Sequence, residues 1–338
     1  MRVLAAGITV GMTLLGWTTS GACAETVSEV FDRVYRSVVV VRTVERDISV
    51  EQQPTRVTGL GSGFLISRDG RILTAAHLVH AASEVKVEFW DGRQAPARIV
   101  SSAPGADVAL IQIDQVPPGA SIAILADSDG ARIGDQVMIV GAPYGFTHTL
   151  TVGHLSGRQR SGQIAGRFAP VELLQTDAAV NQGNSGGPMF NMSGEVLGIV
   201  SHIVSKSGGF EGLGFVVASN AARELLLEHA SVWHGIDGMM LSGDLQKIFN
   251  LPEPGVLIQR VVENSFAARL GLKGGFVRAT IGDRTLIVGG DVVLKVQGMS
   301  VGEAHRMRNV LGGLRSGEEL TLTVLREGQL KELRMVVP

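Results

Sequence analysis

Three short segments of the sequence carry side chains that together could perform nucleophilic catalysis. His77 follows the strand-like run 71–73, where an imidazole could take a proton from a hydroxyl. Asp107 opens an apolar strand and could orient that imidazole from a partly buried position. Ser185 lies in the glycine-rich segment 183–188. Because glycine accepts positive φ, backbone N–H groups in such a segment can converge on a developing oxyanion.

Each of the three residues also has an ordinary structural interpretation. A histidine after small residues, such as His77, is usually structural, and Asp107 could be a turn aspartate. The glycines around Ser185 could form only a tight turn. However, the order histidine, aspartate, serine along a strand-rich chain is the order of the chymotrypsin-type triad. The combination therefore favours catalysis over three unrelated structural roles.

Short β-branched and aliphatic runs, separated by Gly, Asp, Asn and Pro, must position these residues. They predict many short strands, as in a barrel or sandwich. The runs are 38–41, 64–66, 85–89, 108–111, 137–140 and 196–200. The composition, with 44 glycines and 5% aromatic residues, also favours short strands and tight turns. A helix over 221–228, capped by Asn220, is expected to connect to a second domain.

Taken together, the motifs resemble the HtrA/Deg family of trypsin-like serine endoproteases. They are Thr74-Ala75-Ala76-His77, Ala106-Asp107-Val108-Ala109-Leu110, Thr176-Asp177-Ala178-Ala179-Val180-Asn181 with Gly183-Asn184-Ser185-Gly186-Gly187-Pro188, and the strands Gly61-Ser62-Gly63-Phe64 and Gly212-Leu213-Gly214-Phe215. The resemblance implies a mainly β fold in which a chymotrypsin-like double β-barrel precedes one α+β PDZ domain. We expect the protease domain at 25–230 and the PDZ domain at 231–338.

The resemblance also implies a role for each catalytic residue. Ser185 would be the nucleophile, His77 the general base and then acid, and Asp107 the group that holds the imidazole tautomer. The N–H groups of Gly183 and Ser185 would form the oxyanion hole, with Asn184 shaping the turn between them.

Two strand residues next to this machinery have supporting roles in the resemblance. Ser201, in Gly198-Ile199-Val200-Ser201, would line the substrate and hydrogen-bond the triad aspartate; the alternative is that it only packs in its strand. His202 could touch substrate, although a surface position is the more ordinary interpretation. For His80 and His154 a surface position is expected.

The position six residues before the nucleophile sets the specificity in trypsin-like enzymes, and here it is Ala179. With Val180 beside it and Ile203 across the cleft, the primary pocket should be apolar and shallow. We therefore expect Val, Ala, Ile or Leu before the scissile bond.

The second domain begins near Trp233 and resembles a PDZ domain of the HtrA type. Gly235 and Ile236 would present N–H groups to a peptide's terminal carboxylate, and the peptide would add as a strand beside a helix over 301–311. Met307 and Leu311 would face that groove or the core. A hairpin over 276–288 is predicted as an insertion.

The first 24 residues indicate an export signal. Arg2 precedes the apolar run 3–17, and Ala22-Cys23-Ala24 is a small-residue cleavage site. Retention as a membrane anchor and lipidation at Cys23 are the alternatives. We expect a periplasmic or secreted protein, or an anchored one facing the periplasm. Since Cys23 is the only cysteine, no disulfide can form within the chain.

The charge of the chain and its family resemblance limit the classes of partner that we expect. With 18% charged residues and a net charge of −2, nothing indicates a nucleic-acid surface, and no metal or cofactor is implied. The expected partners are unfolded or partly folded proteins, peptide C-termini, and further copies in a homotrimer built near Phe31 and Tyr35. Membrane contact is expected only through a retained anchor. The alternative to an active protease is a proteolytically silent PDZ scaffold or holdase, which an active-site serine reagent would distinguish.

Overall fold

The computed structural model describes residues 25–160, 171–205, 209–228, 233–282, 284–303 and 317–337. Strands dominate these ranges, which confirms the mainly β class. The helices are α1 Val27–Val34, α2 Ala76–Val79, α3 Ser219–Arg223 with a π-helical continuation over Glu224–Glu228, α4 Asp244–Ile248 and α5 Phe266–Leu270. Across the described ranges, no helix has the length and apolar character needed to span a membrane.

The first six strands close into an antiparallel barrel in the order β1-β2-β3-β6-β5-β4. They are β1 Val38–Ile48, β2 Pro54–Leu65, β3 Arg71–Thr74, β4 Glu84–Glu88, β5 Gln94–Ala103 and β6 Val108–Gln112. Alternate residues point inward, so that Val39, Val41, Ile72, Val87 and Ile111 form the buried interior.

The next seven strands build a second barrel. They are β7 Ile124–Leu125, β8 Gln136–Gly141, β9 Thr149–Arg160, β10 Glu172–Thr176, β11 Pro188–Asn191, β12 Glu195–Ile203 and β13 Gly214–Ala218. Pairing between β11 and β12 closes six of them, and β7 joins β12 as a parallel neighbour. The double-barrel prediction is therefore confirmed.

A further apolar cluster joins the two barrels and fixes their relative position. Phe64 and Leu73 of the first barrel and Phe190 of the second are fully buried in it, together with Val30 from α1. The helix predicted over 221–228 begins earlier than expected, at Ser219, because β13 runs directly into α3. The predicted cap is therefore wrong, and the Asn220 side chain instead donates to Asp127.

The C-terminal region forms a separate sheet in the order β14-β15-β18-β20-β21. Its strands are β14 Ile236–Leu241, β15 Gly255–Val261, β18 Val292–Val296, β19 Met299–Ser300, β20 Glu319–Arg326 and β21 Gln329–Val336. The strands β16 Val277–Ile281 and β17 Arg284–Val288 pair with each other, which confirms the inserted hairpin. The helix predicted over 301–311, with Met307 and Leu311, lies almost wholly outside the described residues.

The end of β1 and the turn that follows it reach the C-terminal domain through ion pairs and hydrogen bonds. Asp47 lies 2.8 Å from the Arg278 guanidinium and 3.3 Å from that of Arg260. Glu45 lies 3.0 Å from Arg260, and the Gln52 side chain forms two hydrogen bonds with the Arg278 backbone. The Asp47 side chain is only 10% exposed, so its ion pairs with Arg260 and Arg278 are largely shielded from water.

Candidate active site

His77 and Asp107 come together where two strands of the first barrel meet. The chain leaves β3 and enters α2 at once, so that His77 lies at its second position. Asp107 precedes β6 with φ of +58°, a conformation that aspartate tolerates better than most residues. Its Oδ1 and Oδ2 lie 2.9 and 3.0 Å from His77 Nδ1, and Oδ1 also accepts the His77 backbone N–H at 3.0 Å. The carboxylate therefore fixes both the ring and the backbone of His77.

Ser201 adds a third donor to the same carboxylate. Its hydroxyl donates to Asp107 Oδ2 at 2.5 Å, and both side chains are buried. Since β12 carries Ser201 from the second barrel, this bond crosses the junction between the barrels. The contact is the one that the family resemblance implied for Ser201.

The environment of His77 favours its charged form. Its partly enclosed position opposes protonation, but the hydrogen bond and charge of Asp107, with a smaller contribution from Glu45, outweigh this effect and raise the pKa of His77 above 6.5. The imidazole is therefore well placed to hold a proton taken from a hydroxyl.

Ser185 lies in the tight loop between β10 and β11. Gly183 has φ of +103°, and a Cβ there would lie 2.2 Å from the Ala142 carbonyl oxygen, so no other residue fits this position. Ser185 Oγ lies 3.4 Å from the Ser201 carbonyl oxygen. No hydrogen bond joins Ser185 to His77 within the described ranges; in the absence of substrate such bonds are often long.

Within residues 183–187, two backbone N–H groups have no acceptor among the described residues. The N–H groups of Asn184, Gly186 and Gly187 donate to backbone carbonyls of the loop and of β12. By contrast, those of Gly183 and Ser185 bond to no acceptor in the described part of the chain. Buried Asn184 donates weakly to the Ala179 carbonyl at 3.4 Å, as expected for a residue that shapes the turn.

Ser62 is a supporting residue that the sequence motifs did not reveal. Its buried hydroxyl donates to the Gly183 carbonyl at 2.7 Å and accepts the Ala142 N–H at 3.0 Å, while its backbone N–H donates to the Ser185 carbonyl at 2.8 Å. A strand of the first barrel thus holds the serine loop. The signal available in the sequence was a serine between two glycines, directly before the apolar residues Phe64 and Leu65.

A cleft of about 600 Å³ surrounds these groups. Four of the five residues predicted to contact substrate line it, namely Val180, Ser201, His202 and Ile203. Ala179 is not among the residues that line this cleft, and its place at the floor of the primary pocket stays a prediction. The Ala179 carbonyl accepts from the Thr151 hydroxyl at 2.9 Å, and this bond ties the half-buried residue to β9.

Two further histidines lie in this cleft. His202 stacks on Phe215 with a ring separation of 5.2 Å, and burial lowers its pKa. His80 is also part of the lining, so the expectation of a surface histidine is wrong for His80. His154, by contrast, has an exposed side chain.

The predicted peptide-binding residues of the second domain lie at the start of an edge strand. Gly235 has φ of +68°, and a Cβ there would lie 2.2 Å from the Ser265 side chain. Ile236 opens β14, whose outer edge has no strand partner in the described sheet. An apolar cavity of about 270 Å³ beside it is lined by residues that include Ile236, Phe266 and Leu322. Met307 and Leu311 lie outside the described residues. Within the described residues, no group of three or more His, Cys, Asp or Glu side chains is arranged to hold a metal ion.

Comparison with known proteins finds two domain families in succession along the chain. The profile of the trypsin-like peptidase domain matches residues 61–199, and that of the PDZ domain matches residues 215–337. A probable periplasmic serine endoprotease DegP-like from Pseudomonas putida (strain GB-1) is 36% identical over 287 residues. The periplasmic serine endoprotease DegP of Escherichia coli (strain K12) is 35% identical over 285 residues. Each match covers 82% of this chain and 56% of the relative, so the chain spans just over half the length of these relatives.

Solved structures match over more of their length. The HtrA-type protease AlgW with decapeptide is 28% identical, with a TM-score of 0.55, and the match covers 92% of this chain and 98% of that one. The same protease with tripeptide is 29% identical, with a TM-score of 0.55, over 92% and 96% of the two chains. The chain belongs to the HtrA/Deg family of trypsin-like serine proteases with a C-terminal PDZ domain.

Proposed function

We propose that the chain is a serine endoprotease that hydrolyses peptide bonds of unfolded, damaged or signalling proteins. The observation that carries the proposal is the bond from His77 Nδ1 to buried Asp107, in a cleft that also holds Ser185. With Nδ1 bonded to the carboxylate, the other ring nitrogen, Nε2, is left to act on the serine hydroxyl.

The reaction follows from these roles. His77 Nε2 takes the Ser185 proton as Oγ attacks the scissile carbonyl, and Asp107 stabilises the imidazolium that forms. The proton then passes to the leaving amine. Water repeats the sequence to release the acyl group from Ser185, which restores the free hydroxyl.

The unpartnered N–H groups of Gly183 and Ser185 are the proposed oxyanion hole. Two converging donors there would stabilise the negative oxygen of the tetrahedral intermediate. Ser62 has a positioning role, because its bonds to the carbonyls of Gly183 and Ser185 fix the loop on both sides of Asn184.

The proposed substrates carry small or branched apolar residues before the scissile bond. Val180 and Ile203 line the cleft, and its one carboxylate among the described residues, Asp107, is already engaged by His77 and Ser201. An arginine or lysine side chain would therefore find no charge partner, and burying it unpaired is costly.

The second domain is proposed to bind peptide C-termini. Gly235 and Ile236 would receive the terminal carboxylate, and the peptide would extend the sheet at the free edge of β14. Structures of the AlgW relative with a tripeptide and a decapeptide support this role. By the same family argument, we propose that the boundary between the two domains lies near residue 230. The protein would assemble as a trimer through the segment near Phe31 and Tyr35. It would be periplasmic, with residues 1–24 as its export signal.

Hydrolysis of unfolded casein tests the catalytic proposal. Because the triad acts as a unit, Ser185→Ala should lower turnover by roughly 10⁶-fold, to the background of the assay. Ser193→Ala, at an exposed turn between β11 and β12, is the matched control and should keep wild-type turnover. Sequencing the fragments tests specificity. Equal rates for Ser185→Ala and wild type would contradict the nucleophile, and cuts mainly after Arg or Lys would contradict the pocket.

A further inference from the structure

His80 connects the catalytic helix to the beginning of the second domain. It directly follows α2, the helix that carries His77, and its backbone N–H completes the last turn. Its ring Nδ1 lies 3.2 Å from the Ser102 hydroxyl of the first barrel. Its backbone carbonyl accepts the indole N–H of Trp233 at 2.9 Å, and its ring interacts electrostatically with the Ile236 backbone. The segment that leads into β14 is thus bonded to the His80 backbone, while Ser102 of the first barrel is bonded to the His80 ring.

His234 places a second imidazole at this junction. It lies between Trp233 and the proposed carboxylate-binding residue Gly235, and it interacts electrostatically with His80. Its ring packs edge-on against Phe266 at 5.9 Å and lines the apolar cavity beside Ile236. The four residues 233–236 therefore contact the catalytic helix on one side and the proposed peptide site on the other.

The junction accommodates both histidines best in their neutral form. Burial, with the nearby His234, lowers the pKa of His80 from 6.5 to about 4, although the Ile236 backbone partly offsets the effect. Burial also lowers the pKa of His234. Once the domains separate, water restores the ordinary value of roughly 6.5. Docking is therefore strongest above that value and weakens as the pH falls from there toward about 4.

Not all titratable groups around the junction respond to acid as the two histidines do. The titratable and charged groups that face it are His77, Asp107 and His202 across the cleft, and Glu45, Asp47, Asp237, Arg260 and Arg278 in the neighbouring ion pairs. Burial raises the pKa of Glu45 and of Asp237, so these carboxyl groups bind protons more readily when the domains are docked. Acid therefore strengthens docking through the carboxyl groups and weakens it through the histidines.

We propose that His80 is a positioning residue that latches the PDZ domain onto the catalytic helix, and that protonation of His80 and His234 opens this latch. Any effect of this latch on catalysis rests on the proposed role of His77 as the general base. The latch itself is a contact between the domains and can be measured without proteolysis.

The test follows the open population of the latch with 5-fluorotryptophan in the full chain carrying Ser185→Ala. Saturation-transfer ¹⁹F NMR at Trp233 reports opening, and Trp90 in the first barrel is the internal reference for an intact fold. For His80 alone, we expect the ratio of open to closed protein to rise roughly 10- to 30-fold between pH 7.5 and pH 5. Because the ¹⁹F signal of Trp233 reports domain contact and not proteolysis, a failure of the proteolytic proposal would not affect this result.

Substitution by glutamine separates protonation from structure. Glutamine keeps a donor and an acceptor but cannot become charged in this range. His80→Gln should remove most of the acid response, and the double variant His80→Gln, His234→Gln should abolish or reverse it. His154→Gln, at the exposed histidine, should respond like the parent protein. An equal rise in the double variant, or no rise in the parent while Trp90 reports a folded barrel, would overturn the proposal.

Discussion

Asp107 is the residue on which the chemistry of His77 depends. It is 6% exposed and accepts hydrogen bonds from the His77 ring, the His77 backbone and Ser201. This carboxylate fixes the orientation of the imidazole and stabilises its charged form. The raised pKa of His77 has two effects on the reaction. The more basic ring accepts the serine proton more readily. The same ring also stays protonated by solvent up to a higher pH than an ordinary histidine, and in that form it cannot act as a base.

The pH dependence of kcat/KM should show this effect. The base must be neutral to accept the serine proton, so activity is lost as the pH falls through the pKa of His77. Since Asp107 raises that pKa, the midpoint should lie above 6.5. A pH profile on a short chromogenic peptide, with circular dichroism as the control for folding, measures it. A midpoint below 6.5 in a folded protein would contradict the assigned base.

The sequence revealed some of these residues and not others for a physical reason. His77, Asp107 and Ser185 each lie in a short contiguous motif, so their types and order could be read directly. Ser62 acts on a carbonyl 121 positions away, and His80 receives a donor 153 positions away. Such roles depend on which strands and domains meet, and neither residue type nor local spacing records that.

At the scale of elements, the long hairpin of β1 and β2 both builds the first barrel and contacts the second domain. The first half of β1 and the last half of β2 are buried in the barrel, whereas the distal half of β1 is mostly half-buried and the distal half of β2 is exposed. The sequence predicted only the buried parts, 38–41 and 61–66, because the distal parts lack an apolar pattern. Those distal parts carry Glu45 and Asp47, which bind the second domain.

Asp47→Asn should loosen the contact between the domains. The substitution removes a charge that faces both Arg260 and Arg278, and we expect a loss of about 1–3 kcal/mol in docking free energy. The open population at Trp233, measured at pH 7.5, should rise accordingly. Asp244→Asn, whose side chain is 91% exposed, is the matched control and should have no effect. Unchanged docking in Asp47→Asn would show that these ion pairs do not hold the domains together.

At the scale of the whole molecule, the proposed catalytic groups and the proposed peptide site belong to different domains. The triad and its loop lie within the two barrels, while the proposed carboxylate site and the free edge of β14 lie in the second sheet. The PDZ fold was predictable from its motifs, but its contacts with the barrels were not. A bound peptide can raise activity only if it favours the active arrangement of the barrels over the resting one.

Deletion of the chain from residue 233 onward should separate the two functions. Basal cleavage of a short chromogenic peptide should persist, because every proposed catalytic group remains. Stimulation by peptides with a free apolar C-terminus should disappear, whereas in the full chain a coupling of about 1–3 kcal/mol corresponds to roughly 5- to 150-fold. Rates of both proteins with and without peptide measure the difference. Equal stimulation of both forms would place the effector site in the barrels.

Covalent labelling of Ser185 is the most direct test of a working nucleophile. A fluorophosphonate reacts with a serine hydroxyl only when a base activates it, and peptide mass spectrometry locates the modified residue. We predict modification at Ser185 in the wild type, its loss in His77→Ala, and a rate that falls as the pH drops through the raised pKa of His77. Labelling at another serine, or equal labelling of Ser185 in wild type and His77→Ala, would contradict the assignment.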